Sequence, residues 1–234
     1  MSLEMMDVSF THPGTAPDSG NLLDGVSLGV GAGELVGLGA PSGTGKSTLL
    51  RIAALMAPAD SGTVLINGQA FAPGSPVPHQ LRHCVGVVLQ SPRAAADPRL
   101  RLDSLICAPL AFRDGALRPR PQRYSERVAE LAELVQLDPA LLHHYPHQVS
   151  DGQLQRAMLA RALALDPAVL ICDEPTAQLD ARTTASILRL LADRAADGAA
   201  VLIASHDRAA LSRVAHTLVD LARVNHAGSI VARA

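Results

Sequence analysis

Residues 40–48 of this 234-residue chain read APSGTGKST. Small residues at this spacing let consecutive backbone N–H groups converge on an anion, and the lysine adds a point charge. Gly43, Thr44, Gly45 and Lys46 can wrap a β-phosphate with their N–H groups. Lys46 can also reach the β- and γ-phosphates, and Ser47 offers a hydroxyl to Mg²⁺. Ala40, Pro41, Ser42 and Thr48 complete the loop. The strict pattern G-x-x-x-x-G-K-[ST] has glycine where this chain has Ala40, so that position must avoid positive φ, with Gly39 absorbing part of the turn. A second chemical pair, Asp173-Glu174, directly follows the apolar run AVLIC. Asp173 can hold Mg²⁺, directly or through water, because a hard cation prefers oxygen ligands. Glu174 could polarise an attacking water. Taken alone, the pair reads equally well as a helix N-cap after a strand.

The elements that must position these groups follow from periodicity. Glu34–Gly39 is a compact apolar run ahead of the loop, and Lys46–Met56 carries apolar residues at helical spacing, with Pro58 ending the helix. Thr63–Asn67 is strand-like and stops at the Asn67-Gly68 turn, and Cys84–Leu89 is a buried-strand candidate. Residues 91–125 are rich in Pro, Arg and Ala without strand pattern. Ser125 can cap a helix over Glu126–Leu137, and a further helix is expected over Gln153–Leu165. Ala168–Cys172 reads as a parallel strand covered on both faces. Asp180 can cap a helix over Ala181–Ala196, stopped at Asp197-Gly198, and Val201–Ala204 is the next strand. Strands alternating with helices imply an α/β parallel sheet.

A third motif joins the first two: Val149–Arg156 reads VSDGQLQR. It resembles the LSGGQ signature of ATP-binding-cassette ATPases. Gln90 after a strand is similar to that family's Q-loop, Ala177–Asp180 (AQLD) to its D-loop, and His206 in IASHD to its switch histidine. Pro146-His147 resembles the Y-P-H pattern of importer ATPases. The resemblance covers nearly the whole chain. It implies a P-loop NTPase (RecA-like) core with N-terminal antiparallel strands and a helical signature subdomain. The expected division is 1–90 and 166–234 for the core and 91–165 for the helical part. It implies ATP and Mg²⁺ as ligands and a head-to-tail pair of cassettes. Ser150, Gly152 and Gln153 would face the γ-phosphate of the partner's ATP, with a hydroxyl, N–H groups and a helix N-terminus. Glu174 would be the general base, and His206 would contact the γ-phosphate. Gln90 would see Mg²⁺ and the attacking water, and Asp180 would couple the two sites.

Two further departures from the family pattern leave alternatives open. Asp151 replaces the first signature glycine; its carboxylate either faces a phosphate or turns away and caps the nearby helix. His12, in VSFTHP, stands where a tyrosine would stack on adenine, and it is either that contact or part of a surface loop. His143, His144 and His147 form a small cluster for which the Y-P-H pattern is the better account than a metal. Arg118, Arg120 and Arg123 read as a solvated face.

Composition narrows the class. Hydrophobic residues are 48% and charged residues 18%, which excludes disorder as the main state. A net charge of −2 and few aromatics with no Trp argue against a dedicated nucleic-acid binder. Cys84, Cys107 and Cys172 form no C-x-x-C pair, so neither a disulfide framework nor a zinc site is expected. No N-terminal leader and no membrane-spanning run is read from the sequence. The expected function is the ATPase subunit of an ABC importer, most similar to the nickel/oligopeptide branch. It would be held at the cytoplasmic membrane face by separate permease subunits, with a second cassette and a substrate-binding protein as further partners. The competing reading is a non-transport cassette ATPase in repair, translation or iron–sulfur assembly.

Overall fold

The computed structural model describes residues 2–12, 21–39, 41, 43–177, 179–224 and 230–231. Strands β1 (Leu3–Phe10), β2 (Leu23–Val30), β4 (Ser61–Ile66), β5 (Gln69–Phe71) and β10 (Ile230–Val231) form one sheet in the order β10-β2-β1-β4-β5. It is antiparallel except where β10 joins β2. Strands β3 (Leu35–Gly39), β6 (Val85–Val88), β7 (Val169–Asp173), β8 (Ala200–Ala204) and β9 (Thr217–Asp220) form a wholly parallel sheet in the order β6-β7-β8-β3-β9. The helices are α1 (Lys46–Ala53), α2 (His79–Arg82), α3 (Pro92–Ala95), α4 (Leu102–Arg113), α5 (Ser125–Leu134), α6 (Asp151–Leu163), α7 (Ala181–Ala196), α8 (Arg208–Leu211) and α9 (Leu221–Val224).

Two apolar cores cover the parallel sheet on opposite faces. Val36, Ile171 and Leu202 pack with α1 and the antiparallel sheet. Their chain neighbours Leu35, Leu170 and Val201 pack with α7 and the helices α4 to α6. Neighbouring residues entering different cores is the period-2 geometry of a strand, and it explains why β3, β7 and β8 are apolar or small almost without interruption.

Several element ends differ from the sequence expectation. The first helix stops at Ala53, well before Pro58, because Leu55 turns left-handed at φ 54°. Ser125 does not cap α5: Tyr124 holds the N-cap position, and a 3₁₀ turn over Pro121–Tyr124 runs straight into the helix. The helix expected over Gln153–Leu165 begins earlier, at Asp151, and ends at Leu163. The stretch without pattern contains α4, a helix with Pro109 inside it and eight buried residues, so no polar face marked its period. The helix over Ala181–Ala196 and its stop at Asp197-Gly198 stand where expected. Asn67 and Gly68, both at positive φ, turn β4 into β5. Among the described residues no helix is long and apolar enough to cross a membrane.

Candidate active site

Parallel strands all end at one edge, and that edge carries the chemistry. Register places Leu38 of β3 and Asp173 of β7 both opposite Ala204 of β8. The loop after β3, the acids after β7 and Ser205-His206 after β8 therefore emerge side by side. Val88 of β6 lies opposite Cys172, so Gln90, exposed two residues beyond β6, leaves the same edge at the level of Glu174.

The loop from β3 into α1 is drawn together by its own polar groups. Thr44 Oγ1 and Lys46 Nζ both donate to the Pro41 carbonyl, at 2.8 and 2.9 Å. Gly45 holds the N-cap of α1 at φ 92° with no side-chain cap, so the helix presents its first N–H groups to the loop mouth. A Cβ at Gly45 would meet Leu23 Cδ2 at 2.9 Å, and at φ 92° any L side chain there would be strained. Ser47 and Thr48 follow in the first turn of α1. Ala40 and Ser42 of the expected loop lie outside the described residues.

Asp173 and Glu174 are each only 5% exposed. Burial pushes the Asp173 carboxyl above its ordinary value; the Ser47 hydroxyl bonds to it and pulls the other way, the Glu174 charge adds to the push, and Arg51 and Lys46 oppose it. Ser47, in the first turn of α1, thus lies beside the acid pair. A buried carboxylate beside a hydroxyl, with the Gln90 amide at the same edge, is an oxygen donor set suited to Mg²⁺. Glu174 adopts φ 50°, a strained conformation for a non-glycine residue, and its N–H donates to Ala204 O at 2.9 Å. Its Oε1 accepts the His206 backbone N–H at 3.0 Å and lies 2.9 Å from His206 Nδ1. The His206 ring itself is 77% exposed. A rigid buried acid is thereby coupled to an exposed imidazole 32 residues away in the chain.

The signature lies at the start of α6. Ser150 is the N-cap: its Oγ accepts the Gln153 N–H at 3.2 Å while Gln153 Oε1 accepts the Ser150 N–H at 2.9 Å. The Gln153 amide oxygen is therefore engaged in the capping box, and the hydroxyl of Ser150 remains exposed beside Gly152. Asp151 does not cap the helix, as one sequence alternative had it. Its Oδ1 pairs with Arg93 Nε, and the same guanidinium donates to the carbonyls of Pro146 at 3.0 Å and Val149 at 3.1 Å. Arg93 escaped sequence reasoning because it lies in the patternless stretch 58 residues before Asp151.

His12 is exposed beyond the end of β1, edge-on to Phe10 at 5.6 Å. Phe10 pairs with Leu23, the residue that closes on Gly45, which brings His12 to the side of the phosphate loop. Asp180 caps α7, accepting the N–H groups of Arg182 and Thr183 and the Thr183 hydroxyl. The Thr183 bonds hold its carboxyl below the ordinary value. Gln178 of the AQLD run lies outside the described residues. His143 has a carboxylate partner that the sequence did not reveal, Asp103 Oδ2 at 3.2 Å. Among the described residues no group of three or more His, Cys, Asp or Glu is arranged to hold a metal ion.

Comparison with known proteins agrees with this geometry. Residues 23–177 match the family model described as ABC transporter. A protein of Brucella abortus (strain 2308) named for peptide import and ATP binding is 39% identical over 225 residues, which are 93% of this chain and 65% of that relative. The glutathione import ATP-binding protein GsiA of Escherichia coli O6:H1 is 38% identical over 208 residues, 88% of this chain and 32% of GsiA. The chain thus spans somewhat less than two thirds of the length of the first relative and about one third of the second. Among solved structures, the dimeric post-hydrolysis state of the ATP-binding cassette MJ0796 bound to ADP and Pi superposes with a TM-score of 0.82 at 28% identity, covering 94% of both chains. A family model over most of the chain, a parallel-sheet edge that gathers loop, acids and histidine, and a cassette fold matched end to end together establish that this chain belongs to the ABC transporter family.

Proposed function

We propose that this chain is the ATP-binding and ATP-hydrolysing subunit of an ABC importer of the peptide type, driving transport through separate permease subunits. The observation that carries the reading is the buried Glu174 carboxylate, held by His206 through Oε1 beside the Ser47–Asp173 contact. The Gly43–Lys46 backbone and Lys46 bind the phosphates, and His12 stacks on the base. Both His206 contacts fall on Oε1, so in this reading Oε2 serves the attacking water: it takes the proton as the water oxygen bonds to the γ-phosphorus and the bond to the ADP oxygen breaks. The His206 ring, fixed by Glu174, holds the γ-phosphate in line. Ser47, Asp173 and Gln90 would hold Mg²⁺, which when bound neutralises charge on the phosphates.

The signature half of the site, Ser150 with Gly152 and the first turn of α6, serves the nucleotide of a second cassette, and Asp180 stands at the same junction. A groove of about 400 Å³, lined by Met56, Leu81, Val87, Leu89 and Met158 together with Arg82, His83 and Arg161, supports docking of a permease segment beside the Gln90 strand. That docking would hold the chain at the membrane. The division into core (1–90, 166–234) and helical segment (91–165) fits this arrangement, with Gln90 at the boundary. A non-transport cassette ATPase finds no separate support in the geometry.

Phosphate release by the purified chain tests the enzymatic part. Lys46→Ala removes the charge nearest the phosphates, and calorimetry should show ATP affinity falling by about tenfold or more together with turnover. Unchanged affinity and turnover would remove the phosphate loop from the mechanism. Co-purification with permease subunits encoded beside it tests the transport part.

A further inference from the structure

Asp151 poses an electrostatic problem for the proposed function. A carboxylate sits in the first turn of the helix whose N-terminus is to receive a phosphate, and like charges at such range repel strongly once water is excluded. Arg93 answers it. Its guanidinium reaches Asp151 Oδ1 and the carbonyls of Pro146 and Val149, so one side chain neutralises the acid and fixes the backbone leading into Ser150.

Arg93 lies in α3, three residues beyond Gln90, and α3 is fastened to α6 at a second point, where Arg161 donates to Ala95 O at 3.2 Å. Just upstream, Gly86 of β6 lets the α6 backbone approach so closely that a Cβ there would stand 2.5 Å from Ala162 O. The segment carrying Gln90 and the helix carrying the signature are thus joined as one body. The Arg93 and Asp151 side chains are 47% and 39% exposed. An ion pair that open adds little to the stability of the chain by itself. Its consequence falls on the anion site, where a facing cassette would exclude water from both charges.

We infer that Arg93 is a positioning residue of the cross-dimer phosphate site: it masks the Asp151 carboxylate, so that no bare negative charge faces the anion beside Ser150. The inference rests on the cassette function proposed above. The test is ATP-dependent association of the Glu174→Gln chain with its companion cassette, a second copy of itself or the co-expressed one, followed by light scattering. If the Glu174→Gln chain does not associate with ATP, the cassette function itself fails.

Given association, Arg93→Ala in that background should weaken it by about tenfold or more, with monomer ATP affinity and melting temperature little changed. Arg93→Ala/Asp151→Gly should recover to within about threefold of the parent, because no bare carboxylate then faces the phosphate. A purely structural arginine would give no such rescue. In chains that keep Glu174, the loss should appear in the ATP KM more than in kcat. Should Arg93→Ala melt early, Arg93→Lys and Arg93→Gln carry the test: the charged variant should stay within about threefold and the neutral one should lose about tenfold. Equal behaviour of Lys and Gln, absence of rescue by Asp151→Gly, or unchanged association in Arg93→Ala would each overturn the inference.

Discussion

The two regions to which the proposed function assigns phosphate are built in opposite ways. At the sheet edge the acids are buried, the strands are covered on both faces, and the key contacts, Ser47 with Asp173 and Glu174 with His206, lie within the chain. At the start of α6 the polar groups are exposed, and the carboxylate nearest the anion position is held by an arginine across the surface. The difference teaches where each half is completed. The edge is preorganised by its own core. The signature turn is held in shape but keeps an exposed face, the one the proposed function gives to a second cassette.

The largest break in this comparison should come from Glu174→Gln. It preserves shape and the His206 contact but cannot take the water proton, so turnover should fall by about two to four orders of magnitude while ATP binding persists. Steady-state phosphate release with a parallel binding isotherm checks both halves. Next comes Ser150→Arg, which fills the open face. Turnover should fall by about two to three orders, the scale for losing an anion-stabilising donor, while the monomer binds ATP normally. Normal turnover in this variant would show that the signature turn faces no phosphate.

Gly86→Ala acts between the two regions. Its methyl would press on Ala162 O, Leu170 and Pro167. Overpacking of this kind costs about 1–3 kcal/mol. A chain of this size then loses about 2–4 °C of Tm per kcal/mol, with a matching loss of ATP-driven association.

The smallest effect tests the buried edge. The Asp173 carboxyl is raised above its ordinary value, chiefly by burial. With the folded-state pKa above the unfolded one, stability is fully present below the unfolded pKa and is lost as pH rises through the folded pKa. Asp173→Asn should therefore raise Tm by a few degrees at neutral pH in chelator, with the gain shrinking as pH drops into the carboxylate range. A gain that grew on acidification would contradict the burial argument.

The phosphate loop, the acid pair after AVLIC, the capped helix over Ala181–Ala196 and the apolar strands were legible because each depends on residues close in the chain. Backbone N–H convergence, N-capping and strand alternation are local rules. The helix Leu102–Arg113 was not legible, since burial on nearly all sides removes the polar face that gives a helix its period. Ser125 looked like a cap, but the 3₁₀ turn before it supplies helical backbone ahead of the serine and leaves it inside the helix.

What the sequence by itself determined is the inventory: which residues can bind phosphate, hold a hard cation, accept a proton or start a helix. Local covalent spacing suffices for that. What the tertiary structure decided is which of them meet. Glu174 and His206 are brought together by β7 and β8 lying side by side in register. Asp151 is turned from a repulsive charge into half of a neutral pair by Arg93, and nothing near either residue in the chain announces the other. Electrostatic contacts depend on distance through space, and only the packing of α3 on α6 and of β6 beneath it fixes that distance.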